Sequence, residues 1–344
     1  MKVLITGAAG FIGSQLAYRL SKNNIQLILI DNFSYGHEEN LIFPDQDFRS
    51  QIIRMDIRDR QSIHSLLKSG DVDYIYNIAG IAPLPDCQLN PQEAIDVNLN
   101  GFVNILEAAK LYGTKKIIQA STNAIYENES IFPTTEEKFE LPTLIYPNTK
   151  YAAERFAEGY YKTYGMNITC LRFANVYGPH IDCLRKQPPF VGYMIRELYY
   201  GRTPIFHSNG EQRRDYIYID DLLDLAIKVK KTTGFDIVNV SGNCNYSVNQ
   251  MYEIAQKIIG KAIPAKYAED AHYWKKYPEL FEGFYPIKES ILNHEINKYT
   301  LCDNKYALNK YSWQPKISIY EGLKKLITEE FLLLDKFEAS KIEK

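Results

Sequence analysis

The chain has 344 residues, 45% of them hydrophobic, with 40 Lys+Arg against 42 Asp+Glu. At roughly 150 residues per domain this length predicts two domains, or one large domain with a second lobe; a net charge of −2 without long runs of one sign argues against nucleic-acid or polybasic membrane binding and for a small-molecule partner. Five scattered cysteines, Cys87, Cys170, Cys183, Cys244 and Cys302, suit neither a disulfide framework nor a zinc site, and no apolar run nears the ~18 residues of a membrane span, so a cytoplasmic protein without a metal is expected.

Short apolar runs bounded by turn residues predict buried strands at 3–6, 26–31, 52–55, 74–77 and 116–120. Helical patterns fill the gaps at 11–22, 61–68 and 91–112, the last with Ala94, Val97, Phe102, Ile105, Leu106 and Ala109 near helical spacing. This alternation implies right-handed crossovers and a parallel sheet covered on both faces. The first 175 residues are therefore expected to form an α/β, doubly wound, Rossmann-type domain. Its motif begins at Gly7, so no signal peptide is expected. After about Asn175 the pattern loosens around Pro179, Pro188, Pro189 and Pro204. A smaller C-terminal α/β lobe, mainly substrate-binding, is expected over 176–335, with some segments returning to the first domain. Within it Ser247 and Gln250 form the S-x-x-Q of a capping box. An amphipathic helix is expected at about 320–334, and the tail 336–344 is expected to fray.

Gly7, Gly10 and Gly13 make G-x-x-G-x-x-G directly after the first strand and at the start of the first helix. The first permits a tight turn, the second lets the backbone approach a pyrophosphate, and the third allows close helix–strand packing; the helix N-terminus faces the anion. Asp31, at the end of the second strand, stands where an acid bonds the adenosine ribose hydroxyls. A carboxylate there repels a 2′-phosphate, which favours NAD over NADP. Asp56, after the third strand, is either an adenine contact or a turn residue.

The chain has 27 tyrosines, and Y-x-x-x-K occurs five times: Tyr18/Lys22, Tyr112/Lys116, Tyr146/Lys150, Tyr306/Lys310 and Tyr320/Lys324. Only Tyr146 opens a helical run shortly after a strand end carrying Ser121 and Thr122, on the sheet edge where ligands bind. A phenol titrates near ~10, and a Lys ammonium one turn on shares its helical face and stabilises the phenolate. Tyr146 is thus the expected base for a substrate hydroxyl, with Thr122 bonding the same oxygen.

Together these residues resemble the extended short-chain dehydrogenase/reductase superfamily, in its NAD-dependent nucleotide-sugar epimerase/dehydratase branch. The resemblance runs through GAAGFIG at 7–13, Asp31-Asn32, MDIRD at 55–59, ASTNAIY at 120–126, YPNTK at 146–150, LRFANVYGP at 171–179, GEQRRDYIYIDD at 210–221 and NVSG at 239–242. It implies a catalytic triad of Thr122, Tyr146 and Lys150. It implies an NAD site on Gly7, Gly10, Phe11, Ile12, Gly13, Asp31, Asn32, Asp56, Ile57, Ala79 and Lys150. It implies that a nucleotide-diphosphate sugar meets Thr122, Asn123, Tyr146, Asn175 and, at its diphosphate, Arg214. On their own residues Asn175 equally caps a turn, and Arg214 equally pairs with Asp215 or Asp220. The helices at about 91–112 and 147–164 resemble the family's dimer-forming bundle, which implies a homodimer.

The branch is read just after Thr122. Dehydratases of the family resemble T-D-E, whose acid and base eliminate water, and decarboxylases usually carry a Glu; this chain has Asn123-Ala124. What remains is reversible oxidation at the sugar C4, so a 4-epimerase is expected, of the kind that serves polysaccharide biosynthesis. A C4 dehydrogenase or reductase uses the same residues. Behind these stand a 4,6-dehydratase and, outside enzymes, a non-catalytic dinucleotide-binding regulator. Three features depart from the family pattern: Asn77-Ile78-Ala79-Gly80 replaces H-x-A-A, a Pro83-Leu84-Pro85-Asp86-Cys87 loop follows, and R-x-G-D has no clear match. In its place 269–295 holds His272, Tyr273, Trp274, Lys275, Lys276 and Tyr285, either a base- and phosphate-binding stretch or a surface insertion.

Overall fold

Seven parallel strands form the central sheet of the computed structural model, which describes residues 1–23, 25–137, 139–183, 188–270 and 272–342. They are β1 (Lys2–Thr6), β2 (Gln26–Asp31), β3 (Ile52–Arg54), β4 (Tyr74–Asn77), β5 (Lys116–Thr122), β6 (Ile168–Phe173) and β7 (Phe235–Val240), in the order β7-β6-β5-β4-β1-β2-β3. The order reverses between β1 and β4, so the loops after Thr6 and Asn77 diverge at the carboxyl edge and leave a crevice for a ligand. Strand β5 runs two residues past the expected end, pairing Ser121 with Arg172 and Thr122 with Phe173. Its short apolar core is continued by small polar residues that the sheet buries.

The sheet is flanked by α1 (Phe11–Ser21), α2 (Arg60–Gly70), α3 (Phe102–Tyr112) and α4 (Ile145–Tyr164). Ile63 and Leu67 of α2, Phe102, Ile105 and Leu106 of α3, and Ala153 and Ala157 of α4 bury against Leu4, Ile30, Ile75, Ile117 and Ile168. Each large side chain so buried contributes on the order of 2 kcal/mol. The single helix expected over 91–112 is interrupted: Pro91–Ile95 is α-helical, Asp96–Gly101 forms a π-helical turn, and α3 follows. Asn98 explains the interruption. Its amide accepts from Ile81 N–H and donates to the Ile81 carbonyl, both at 2.9 Å, and donates to Thr149 Oγ1. A π turn is how a helix aims one side chain out of register.

The chain divides into two compact units. The first comprises Met1–Ala174 with Leu222–Val240 and Cys302–Gln314. In it the helix Lys305–Tyr311 is fastened to β7 by Asp236, which accepts from the hydroxyls of Tyr306 and Tyr311 and from the Lys310 ammonium. The second comprises Asn175–Asp221, Ser241–Leu301 and Pro315–Lys344. Its strand Arg213–Tyr218 pairs in parallel with Asn175–Tyr177 and antiparallel with Asn245–Ser247. The Ser247/Gln250 capping box opens the helix Val248–Ile259. The last helix, Ile319–Ile342, runs through most of the stretch expected to fray; residues 343 and 344 lie outside the described residues. Among the described residues no helix is long and apolar enough to cross a membrane, and no group of three His, Cys, Asp or Glu is placed to hold a metal.

Candidate active site

The glycine turn is built by exclusion. Gly7 has φ +68°, and a Cβ there would sit 2.8 Å from the Ala79 backbone; a Cβ on Gly13 would lie 2.0 Å from the Gly7 carbonyl oxygen. Neither position admits a side chain. Gly10 meets only the Gly7 oxygen at 3.3 Å, and it stands at the N-cap of α1 with no capping side chain and no acid in the first turn, where Phe11 and Ile12 lie. The first N–H groups of α1 are thus available to an anion.

Asp31 is buried, and its two oxygens accept from Ala9 N–H at 2.9 Å and Phe33 N–H at 2.7 Å. Burial raises its pKa, and those two bonds pull it back. Asn32 donates to Asp56 at 2.8 Å, and Asp56 also takes Arg58 through both its guanidinium and its backbone N–H. The Arg58 guanidinium holds Asp56 down to about 2. The Asp56 carboxylate is thus engaged by its neighbours, and Ile57 beside it is buried against Gly101.

Asn77, where the family pattern has His, forms a polar rung across three strands. It accepts from Thr6 Oγ1 at 2.6 Å and donates to Gln119 Oε1 at 2.7 Å, while Thr6 Oγ1 accepts from Ala79 N–H. The proline loop after it forms the short helix Leu84–Leu89. Cys87 packs there with Ile81 and Ala94, and Tyr146 lies against this cluster.

Thr122 ends β5, and its Oγ1 accepts from Ala124 N–H, capping the helical turn Asn123–Tyr126. Its side chain lies near enough to the hydroxyl of Tyr146, a half-buried residue in the first turn of α4, to act on its titration. Burial pushes the Tyr146 phenol up to about 12, and Thr122 pulls the other way. Lys150, one turn on, is 4% exposed and donates to the Ala120 carbonyl at 3.2 Å. Burial pulls it down to about 8. Among the described residues Lys150 makes its hydrogen bond to the strand and none to Tyr146. Asn123 is buried, with its Nδ2 making no hydrogen bond among the described residues.

Other Y-x-x-x-K pairs are tied up elsewhere. Tyr18 and Lys22 share Asp45, Tyr306 and Lys310 share Asp236, and Lys116 donates to Thr232.

Asn175 and Arg214 belong to the second unit. Asn175 is exposed at the start of a strand and donates to the Asp215 carbonyl at 3.0 Å. The Arg214 guanidinium donates to the carbonyls of Lys298 at 3.0 Å and of Glu295 and Arg213 at 3.3 Å. It pairs with neither Asp215 nor Asp220: Asp215 accepts from Ser241 Oγ and Gly242 N–H, and Asp220 lies 3.8 Å from Lys325. The 269–295 stretch divides in character. Trp274 is buried and Tyr273 rests near His207, whereas Phe284 and Tyr285 are 89% and 90% exposed.

Sequence reasoning missed Asn98 and a buried network of Ser121, Tyr126, Glu154 and Arg172. The signal for one member was present: Glu154 follows Lys150 at the spacing by which Lys150 follows Tyr146.

Residues 3–241 match the model of the NAD dependent epimerase/dehydratase family. The chain is 29% identical over 335 residues to UDP-glucuronate 4-epimerase of Thermodesulfobacterium geofontis (strain OPF15), covering 94% of each. It is also similar to the structure of UDP-glucose 4-epimerase from Thermotoga maritima with UDP-glucose, at 28% identity and a TM-score of 0.85, covering 97% of this chain and 100% of that one. A third likeness is to UDP-glucuronic acid 4-epimerase from Bacillus cereus in complex with UDP-glucuronic acid and NAD, at 25% identity and a TM-score of 0.77, again covering 97% and 100%.

Proposed function

The chain belongs to the NAD-dependent epimerase/dehydratase family, and from that premise we propose that it is a nucleotide-sugar 4-epimerase acting on a UDP-sugar. The observation that carries the reading is the placing of Thr122, at the carboxyl end of β5, beside Tyr146 of α4, with Lys150 one turn on bonded to the same strand and Asn123-Ala124 rather than acids following. The UDP-glucuronate and UDP-glucose 4-epimerases to which the chain is similar support the substrate class.

The turn at Gly7, Gly10 and Gly13, which Cβ atoms would fill, and the uncapped N-terminus of α1 fit a dinucleotide pyrophosphate. Asp31 retains lone pairs for ribose hydroxyls, since each oxygen takes one backbone N–H. Phe11, Ile12, Asn32, Asp56, Ile57, Ala79 and Lys150 complete the NAD site. NAD, when bound, accepts and returns the hydride at C4. Tyr146 takes the proton of the C4 hydroxyl and gives it back after the sugar has turned. Thr122 bonds the same oxygen and keeps it within reach of the phenol. Lys150, protonated below about pH 8, adds positive charge behind the phenol, which favours the phenolate. Asn123 lies beside the sugar, Asn175 bonds the nucleotide sugar, and Arg214 meets its diphosphate.

A homodimer is part of the same proposal. Leu111 on α3 and Phe156, Tyr161 and Tyr164 on α4 are exposed, an apolar set suited to pairing with a second copy. A cytoplasmic location fits a substrate made from a nucleotide.

The test is incubation of the purified protein with UDP-glucuronate, UDP-glucose, UDP-N-acetylglucosamine and GDP-, CDP- and dTDP-hexoses. Inversion at C4 without net NADH is expected for one of the UDP-sugars. Accumulation of NADH with a 4-keto sugar replaces the epimerase by a C4 dehydrogenase.

A further inference from the structure

Tyr146, Lys150 and Glu154 recur every four residues along one face of α4, and the third has no part in the reaction above. Its carboxylate is fully buried and paired with Arg172 of β6, which is 1% exposed. Arg172 Nε donates to Glu154 Oε1 at 2.9 Å and Nη2 to Oε2 at 2.6 Å. Arg172 Nη1 donates to the Tyr126 hydroxyl at 2.6 Å and the Glu136 carbonyl at 3.2 Å, and the Tyr126 hydroxyl donates to Asn239. The guanidinium also lies 4.6 Å from the Phe139 ring centroid and 5.0 Å from that of Tyr126. Each guanidinium nitrogen and each carboxylate oxygen thus has a partner.

A buried ion pair is a weak source of stability, since desolvation offsets most of the attraction. This pair also does something local. Glu154 Oε1 accepts a second bond, from Ser121 Oγ at 2.6 Å. Three successive residues of β5 therefore meet three successive turns of α4. The Ala120 carbonyl takes Lys150, Ser121 bonds Glu154, and the Thr122 side chain faces Tyr146. Two of these contacts involve the groups assigned to the reaction; the middle one does not. Because Glu154 is locked by Arg172 from the neighbouring strand, it cannot follow α4 if the helix slides or turns.

We propose that Ser121, Glu154 and Arg172 are positioning residues that fix the register of α4 against the end of β5, and so hold Tyr146 beside Thr122. The proposal rests on the reading that Tyr146 and Thr122 act together on the substrate hydroxyl.

Ser121→Ala cuts the tie and leaves the ion pair intact. In the NAD-loaded variant the melting temperature is expected to stay near that of the wild type, while kcat falls about fivefold or more at unchanged KM. Loosening Tyr146 from Thr122 weakens the contact that favours the phenolate, so the acid limb of the pH–rate profile moves upward by about half a unit or more. A second reading needs no substrate. With tyrosine labelled with carbon-13 at Cζ, the Tyr146 signal, identified by its loss in Tyr146→Phe, titrates at higher pH in Ser121→Ala. The double variant Glu154→Gln/Arg172→Met discharges the pair and keeps an oxygen for Ser121 but frees it from β6, so kcat is expected to fall in the same direction as in Ser121→Ala. Wild-type kcat and wild-type Tyr146 titration in Ser121→Ala overturn the proposal. If no sugar is turned over by the wild type, the reaction reading fails, and the Tyr146 titration still decides the tie.

Discussion

Lys150 Nζ stands 3.0 Å from the point where a Cβ on Gly80 would sit, and Asn98 Oδ1 stands 2.9 Å from it. Gly80 therefore leaves room for an ammonium and for the amide that clasps Ile81.

Gly80→Ala forces one of those two groups to move. Asn98 is held by two bonds to Ile81 and Lys150 by one to Ala120, so Lys150 gives way. The variant is expected to fold, with a stability loss of about 1 kcal/mol, and to lose about tenfold in kcat. Steady-state kinetics beside thermal melts check this; full activity would mean that Lys150 tolerates displacement.

Tyr146→Phe removes the phenol and leaves the NAD site untouched. Turnover is expected to fall at least ~100-fold, with NADH affinity by fluorescence within about twofold of wild type. Unchanged turnover would remove Tyr146 from the reaction.

Lys150 carries a pH signature. Burial lowers its pKa to about 8 from 10.5. Below about 8 both folded and unfolded chains hold the proton, and the full desolvation penalty weighs on the fold. Between 8 and 10.5 the unfolded chain binds the proton and the folded one does not, so stability rises with pH across that window. Lys150→Met is expected to be more stable than wild type at pH 7, by on the order of 2 kcal/mol, with the advantage shrinking toward pH 10.5. Denaturant melts at both pH values measure it, and a less stable Met variant at pH 7 contradicts the burial penalty.

Asp31 receives an N–H at each oxygen. Asp31→Asn turns one acceptor into a donor facing a donor, which costs about 1–3 kcal/mol, and removes the charge that repels a 2′-phosphate. NAD affinity should drop about tenfold or more while the preference over NADP narrows. Calorimetric titration with both cofactors tests it; an undiminished preference for NAD would locate the discrimination elsewhere.

Phe156→Glu combined with Tyr164→Lys places charge on the exposed face of α4. Light scattering on the eluting peak is expected to show a dimer for the wild type and a monomer for the variant. A monomeric wild type would end the homodimer proposal.

Much of the first unit was legible because its signals are local. Five of the seven strands are short apolar runs, and the glycine turn is specified by collisions within a few residues and with Ala79. The apolar run of β5 stops at residue 120, and the burial of Ser121 and Thr122 beyond it comes from β6, a partner distant in sequence. The π turn escaped because Asn98 answers to Ile81, not to its own helix. The alternative reading of Arg214, a pair with Asp215 or Asp220, fails because strand alternation sends Asp215 to the opposite face, toward Ser241, while carbonyls from 295 and 298 close on the guanidinium.

The outer strand β7 and its fastening helix Lys305–Tyr311 arrive late, after a long excursion of the chain. During synthesis the fastening waits for residue 311, and the first unit lacks an edge of its sheet until residue 240 has left the ribosome. Up to that moment β6 exposes unpaired backbone groups, an open edge on which another nascent chain can add. A fragment ending near residue 174 would keep that edge permanently. The dinucleotide half of this chain is therefore not a cassette that can be cut out and moved, because its sheet is completed by residues far downstream.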